Sequence, residues 1–433
     1  ENLYDFTNLN QFNITAAIKA DGETLKTINI DTISVEPNTG KLIRLSLNGV
    51  EFKKNTEYFV HFSATTKNNW DLLPKGFEVA REQIPLPYKN MSKRILLQEN
   101  SELSVEKNGE IVAFYNDIVT IQFDKTKGRI TSYIYKGKQL LNNGKGPKPN
   151  FWRAVTDNDF GNKMQFKNIE WKKASLFSKV KSTSIKKDSL GAILFNVIYE
   201  LPGVKTTFES EYSIYGNGVV ALKNILNKTS YKGDAPRVGM RMQIKKKYDN
   251  MMYFGRGPWE NYQDRKASAF VDLYTSKVKD QYVPYIRPQE NGYKTNVRWA
   301  AFSDTNNMGL LVVADNTIKG LGISALHMEN EDFDTTDGLN YGSGVQIDDE
   351  YRIDGIPEIN GSKHTIDIKE KNLIQLNIDA EQRGVGGDDS WYARPQKKYQ
   401  IKGYEKHSYR FFLIPFEKSS KEDLIEISKK YIN

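Results

Sequence analysis

Residues 421–432 are the one stretch of this chain with clear helical spacing, with Leu424, Ile425, Ile427 and Ile432 apolar. Almost everything before it alternates apolar and polar residues between turn signals. Period-two alternation gives each strand one apolar face, and such faces are buried by stacking sheets. The chain therefore reads as all-β. Over residues 1–82, strands are expected at 12–18, 24–35, 42–47 and 57–64, separated by Asp21-Gly22 and Pro37-Asn38-Thr39-Gly40. Strands at spacings of ~8–12 residues indicate a small β-sandwich. The segment is short for a full sandwich and starts almost inside a strand, so its first strand is expected to be trimmed.

Residues 83–97 read as a linker, because Pro85-Leu86-Pro87 disfavours helix and favours an extended path. A second domain is expected over 98–433. Residues 119–123 and 130–133 flank Lys127-Gly128 as a hairpin. Further strands are expected at 190–202, 205–215, 217–227, 236–246, 309–314, 320–328, 373–380 and 407–415. That is too much for a small sandwich, and a large two-sheet sandwich follows.

Composition narrows the function classes. The 433 residues include no cysteine, which removes disulfides, thiolate zinc sites and thiol nucleophiles. The net charge is +8, but acidic residues are interspersed among the lysines, and nucleic-acid binding would need a concentrated basic stripe. No apolar run is long enough for a membrane helix, and Glu1-Asn2-Leu3-Tyr4 lacks the basic start and apolar core of a signal peptide. The compartment stays open between cytoplasm and periplasm, with the periplasm preferred. The 24 Tyr, 21 Phe and 6 Trp are mostly expected in sheet cores, although exposed rings also suit the C–H faces of sugars.

Three segments carry candidate chemistry. Asn150 to Gly161 contains Asp157-Asn158-Asp159, which suits a side-chain-capped turn or a cation loop, and it lacks the spacing of an EF-hand. Tyr253 to Arg265, with Val283 to Gly292, is dense in buried-type hydrogen-bonding groups. Glu260, Asp264 and Glu290 there could form a carboxylate pair, but Arg256, Arg265 and Arg287 are competing partners. Gly384 to Trp391 is a glycine-rich loop that could project Trp391 as a sugar-stacking platform beside Asp388 and Asp389. His61, His327, His364 and His407 show no metal-binding spacing.

These three segments, in this order, resemble signature stretches of the C-terminal domain of LacZ-type β-galactosidases of glycoside hydrolase family 2, over about residues 94–433. Asp71-Leu72-Leu73-Pro74-Lys75-Gly76 and residues 77–81 resemble the immunoglobulin-like domain before it. The resemblance implies a truncated immunoglobulin-like sandwich followed by a large super-sandwich akin to galactose mutarotases. It also implies a retaining parent enzyme whose two catalytic glutamates lie in a (β/α)₈ barrel. That barrel is expected to precede residue 1, so no catalytic residue is expected in this chain. Substrate binding is assigned by resemblance to Trp391, with Asp388 and Asp389 beside it. Asp157, Asn158, Asp159 and Gly161 match a mobile loop near that site. No metal carries over: magnesium, and secondarily sodium, belong with the missing barrel. The implied partners are a β-galactoside and the missing N-terminal and barrel domains, with the parent a candidate homo-oligomer; neither nucleic acid nor membrane is implied. Val155 stands where the family usually has Pro, Tyr392 follows Trp391 where a small residue is common, and residues 341–361 form an atypical insert.

Two other classes compete with an accessory part of a β-galactosidase. One is a free-standing carbohydrate-binding module. The other is a mutarotase-like epimerase with a histidine–carboxylate pair, for which His327 is the available histidine.

Overall fold

Antiparallel pairing accounts for most of the alternation. A computed structural model describes residues 1–30, 33–70, 72–88, 102–188, 191–315, 318–334, 364–389 and 394–431. Trp391, Tyr392, the insert at 341–361 and linker residues 89–97 lie outside them. The chain divides into two units, Glu1–Lys93 and Arg94–Ile432.

In the first unit, one sheet runs in the order Glu23–Asn29, Phe12–Ala20, Tyr58–Thr66, Glu78–Pro85. Ala16 and Ile18 are buried on one face, where alternation predicts them, and Ile33 and Val35 are buried too. Residues 42–47, expected as a strand, form none. Leu42 is 88% exposed, so the alternation there buries no face. The last strand extends through Pro85, which pairs with Phe59, three residues into the span read as linker. A proline is tolerated there because the strand is at the sheet edge.

Among the described residues the second unit has three sheets. A meander runs through Ser104–Asn108, Ile111–Tyr115, Val119–Asp124, Arg129–Tyr135 and Lys138–Gln139. A nine-stranded sheet runs in the order Lys179–Lys187, Ile193–Leu201, Thr206–Ile214, Val220–Leu226, His407–Phe416, Gly309–Ala314, Trp299–Ser303, Asn250–Gly257, Phe270–Lys277. His407–Phe416 stands in its middle, so the end of the chain joins its two halves. A five-stranded sheet runs Lys148–Asn150, Arg237–Ile244, Ile374–Gln382, Leu321–Leu326, Lys294–Val297. One apolar core joins all three. Phe123 of the meander stacks on Phe195 of the nine-stranded sheet with centroids 4.0 Å apart, and Met240 and Ile378 enter from the five-stranded sheet.

Helix is sparse, as the alternation requires. Lys421–Lys429 is helical, with Ser420 and Asp423 forming a capping box. Among the described residues four short helices, Asp157–Gly161, Met164–Lys167, Ile169–Leu176 and Asn330–Phe333, were not expected. The segment read as a loop hinged at Gly161 is thus the first of these helices. Thr156 caps it through the Asp159 amide.

Candidate functional site

The strand Ile374–Gln382 sends Ile374, Leu376 and Ile378 into the core, so Gln375, Asn377 and Asp379 face the other way. Its neighbour Arg237–Ile244 does the same, with Val238, Met240, Met242 and Ile244 inside and Arg237, Arg241 and Gln243 opposite. That polar face is also largely buried. A buried polar face is stable only when its groups are paired. Here Asn150 donates to Asn377 at 3.2 Å, Asn377 to Ser324 at 2.9 Å, and Gln243 to Gln375 at 3.1 Å. These bonds link side chains across four strands. At the far end Arg237 lies 2.7 Å from Glu290 and 2.9 Å from Asp379. Gly239 sits opposite Asp379, and a Cβ at that glycine would fall 1.9 Å from Asp379 Oδ1.

Beyond Gln382 the chain leaves the sheet as Arg383-Gly384-Val385-Gly386-Gly387-Asp388-Asp389, and side chains from the other two motif segments hold its base. Arg153 donates to the carbonyls of Arg383 at 2.6 Å and Gly384 at 2.9 Å. Asp264 accepts the amides of Val385 at 3.0 Å and Gly386 at 2.8 Å. Asn158 donates to the Val385 carbonyl at 3.1 Å. Gly384 allows this approach, since a Cβ there would lie 2.3 Å from Asp264 Oδ2. Val385 packs with Tyr262 and Tyr293, whose rings stack 5.6 Å apart.

Asp159 organises this base. It accepts Arg153 Nε at 3.0 Å, Arg153 Nη2 at 2.8 Å and Arg383 Nη1 at 2.9 Å. Burial opposes its charge, but Arg153 and Arg383 hold the carboxyl below the usual aspartate range. Arg383 also reaches Asp234 at 2.6 Å. Asp157, at the exposed start of the helix, binds Arg287 at 2.8 Å and Gln289 at 2.9 Å.

Of the residues named from sequence, Asp157, Asn158 and Asp159 lie around this base, and Asp388 and Asp389 lie exposed just beyond it, with Asp388 accepting Gln396 at 3.0 Å. Gly161 closes the short helix. Trp391 lies outside the described residues. The carboxylates considered as a catalytic pair each have structural partners. Glu260 accepts Arg265 at 2.6 Å, the Gly292 amide at 2.8 Å and the Tyr285 hydroxyl. Glu290 accepts Arg237 at 2.7 Å and Gln382 at 2.9 Å, and Asp264 serves the loop amides. His327 is buried between the Leu373 carbonyl and Asp249, each at 2.8 Å. Among the described residues no three His, Asp or Glu side chains gather as a metal-ligand set.

Sequence reading passed over Arg383, Asp379 and Arg237, and gave Arg153 no role. The one available signal was an arginine at the exit of an alternating strand, just before three glycines.

The family described as "Beta galactosidase small chain" matches residues 115–413, and that described as "Beta-galactosidase, domain 4" matches residues 1–87. A β-galactosidase of Priestia megaterium is 29% identical over 416 residues, covering 96% of this chain and 37% of that protein. A β-galactosidase of Streptococcus thermophilus is 24% identical, covering 95% of this chain and 36% of that protein. The chain thus spans little more than a third of the length of these relatives. Among solved structures, a galactose 1-epimerase from Lactobacillus acidophilus aligns with a TM-score of 0.37 at 6% identity, covering 73% of this chain and 99% of that one.

Proposed function

This chain belongs to the β-galactosidase small-chain family, and we propose that it is the C-terminal, non-barrel part of a retaining β-galactosidase that lends Trp391 to a galactose site built elsewhere in the same polypeptide. The observation that carries this reading is the convergence of three separate motif segments on the base of the Gly384–Asp389 loop, through Arg153, Asn158, Asp159 and Asp264. A loop anchored by one buried carboxylate and two buried arginines starts from a fixed point, and positioning of this kind is what a stacking ring needs to favour one sugar orientation. Asp388 and Asp389, beside it, can accept hydrogen bonds from sugar hydroxyls.

Hydrolysis belongs to the rest of the polypeptide, where a glutamate pair at the retaining separation of ~5–5.5 Å would act as acid/base and nucleophile. Magnesium is assigned there too. Within this chain Glu260, Asp264 and Glu290 hold loops and strands together. The purified chain should therefore not turn over a chromogenic β-galactoside at any pH. Turnover that persists through repurification and disappears in Glu260→Gln or Glu290→Gln would overturn this reading.

A further inference from the structure

The opposite end of the buried polar sheet face opens into a cavity of about 140 Å³ lined by Arg129, Lys145, Lys148, Arg241, Glu329 and Glu331, together with amide side chains. Four cations face two carboxylates, a surplus of two positive charges. The carboxylates are engaged: Glu329 accepts Lys145 at 2.8 Å and also Lys371, while Glu331 pairs with Arg241. Lys148 has no hydrogen-bond or ion-pair partner among the described residues. Arg129 Nε is buried without a hydrogen-bond partner. Moreover, Lys148 and Arg241 are direct partners on adjacent antiparallel strands. Like charges at such positions destabilise a sheet, and an unpaired buried cation adds a desolvation cost.

We propose that this cavity binds a small oxyanion, either free phosphate or a phosphate group on a larger molecule. The surplus charge matches a phosphate dianion. The donors converge from the meander (Arg129), a turn (Lys145) and two strands of the five-stranded sheet (Lys148 and Arg241), which suits oxygens pointing in several directions. At ~30 Å³ per water, the volume is several waters' worth and admits an ion of five heavy atoms. Burial, with Arg241 beside it, holds the Lys148 ammonium down to about 7, against the opposing pull of Glu331, and Arg129 and Lys145 push the same way as Arg241. A bound anion favours the charged amine. Binding therefore takes up a proton at Lys148, and for an oxyanion whose own charge is fixed between pH 6 and 8, such as sulfate, it tightens as pH falls from 8 to 6.

Calorimetric titration with sodium phosphate, against sodium chloride at matched ionic strength, tests this. The expected result is saturable phosphate binding that weakens about tenfold or more in Lys148→Met, as for loss of a charge-assisted hydrogen bond, and sulfate binding that tightens from pH 8 to pH 6. The Lys148→Met thermal midpoint without phosphate should stay level or rise, because a buried cation has been removed. Arg129→Gln should also weaken binding, and it stands in if Lys148→Met does not fold. Glycerol phosphate in place of phosphate separates the two sources: equal or weaker affinity indicates the free ion, and tighter affinity a group on a larger molecule. Phosphate that binds no better than chloride, or that binds both variants as tightly as the parent, would overturn the proposal.

Discussion

Asp159 and Arg153 form a two-point ion pair, at 3.0 and 2.8 Å, with both side chains fully buried. The pair sits where the strand Ile374–Gln382 gives way to the glycine loop, and Arg383 binds the same carboxylate. Its energetic value lies less in the pair itself than in the cost of breaking it. Removing one partner leaves a buried charge without compensation.

Asp159→Ala should therefore destabilise the chain by about 3–5 kcal/mol. Asp157→Ala, two residues earlier, removes a carboxylate whose side chain is 69% exposed though paired with Arg287, and should cost under ~1 kcal/mol. Urea unfolding of the two variants checks the contrast. Equal costs would mean that the buried network does not organise the segment.

Asp264→Ala should free the Val385 and Gly386 amides and cost about 1–3 kcal/mol, the penalty for leaving buried groups without an acceptor. Gly384→Ala should do similar damage, since its Cβ would press on the same carboxylate. Because both changes break one contact, the double variant should cost less than the sum. Hydrogen exchange at Val385 and Gly386 should quicken in all three.

Two carboxylates should shift the pH dependence in opposite directions. Burial opposes ionisation of Glu329, but hydrogen bonds from Lys145, Lys371 and Gln243 hold its carboxyl down to about 2. Its stabilising contribution is complete above its ordinary value and is lost as pH falls from there toward 2. Burial pushes the Asp379 carboxyl up to about 8; Arg237 opposes the shift and Glu290 adds to it. That group favours folding below its ordinary value, and the advantage is lost as pH rises toward 8. Midpoints of the parent and Glu329→Gln should converge below pH 3. Asp379→Asn should flatten the decline between pH 4 and 8.

Much of the fold was legible because period-two alternation survives wherever one strand face meets the core. Gly309–Ala314 coincides with its expected span, and the strands observed at 193–201, 206–214 and 407–416 differ from the expected 190–202, 205–215 and 407–415 by a few end residues. Alternation misled at residues 42–47, where no core lies beneath. The helix Ile169–Leu176 was hidden because its buried residues, Trp171, Lys172, Ala174 and Ser175, mix apolar with polar and form no apolar stripe. At the candidate site the three motif segments named from sequence meet at the base of one loop. Alternation along the expected strand 373–380 puts Gln375, Asn377 and Asp379 on one face, although no role was read for them. What it could not convey is that this face is buried, since that depends on segments far away in sequence, including Glu290 and Asn150. The pairing of Asp159 with Arg383, 224 residues away, was out of reach for the same reason.

The central claim is that Trp391 serves a sugar rather than the fold. It is tested by making Trp391→Ala both in this chain and in the full polypeptide of which we propose it is the C-terminal part. The unfolding midpoint of the chain should move by well under ~1 kcal/mol. In the full polypeptide, kcat/KM on a chromogenic β-galactoside should fall roughly tenfold to a hundredfold, the loss of about 1–3 kcal/mol of stacking. A stability loss of about 3–5 kcal/mol, as for a core tryptophan, with activity falling only in proportion to the folded fraction, would make Trp391 structural and contradict the account.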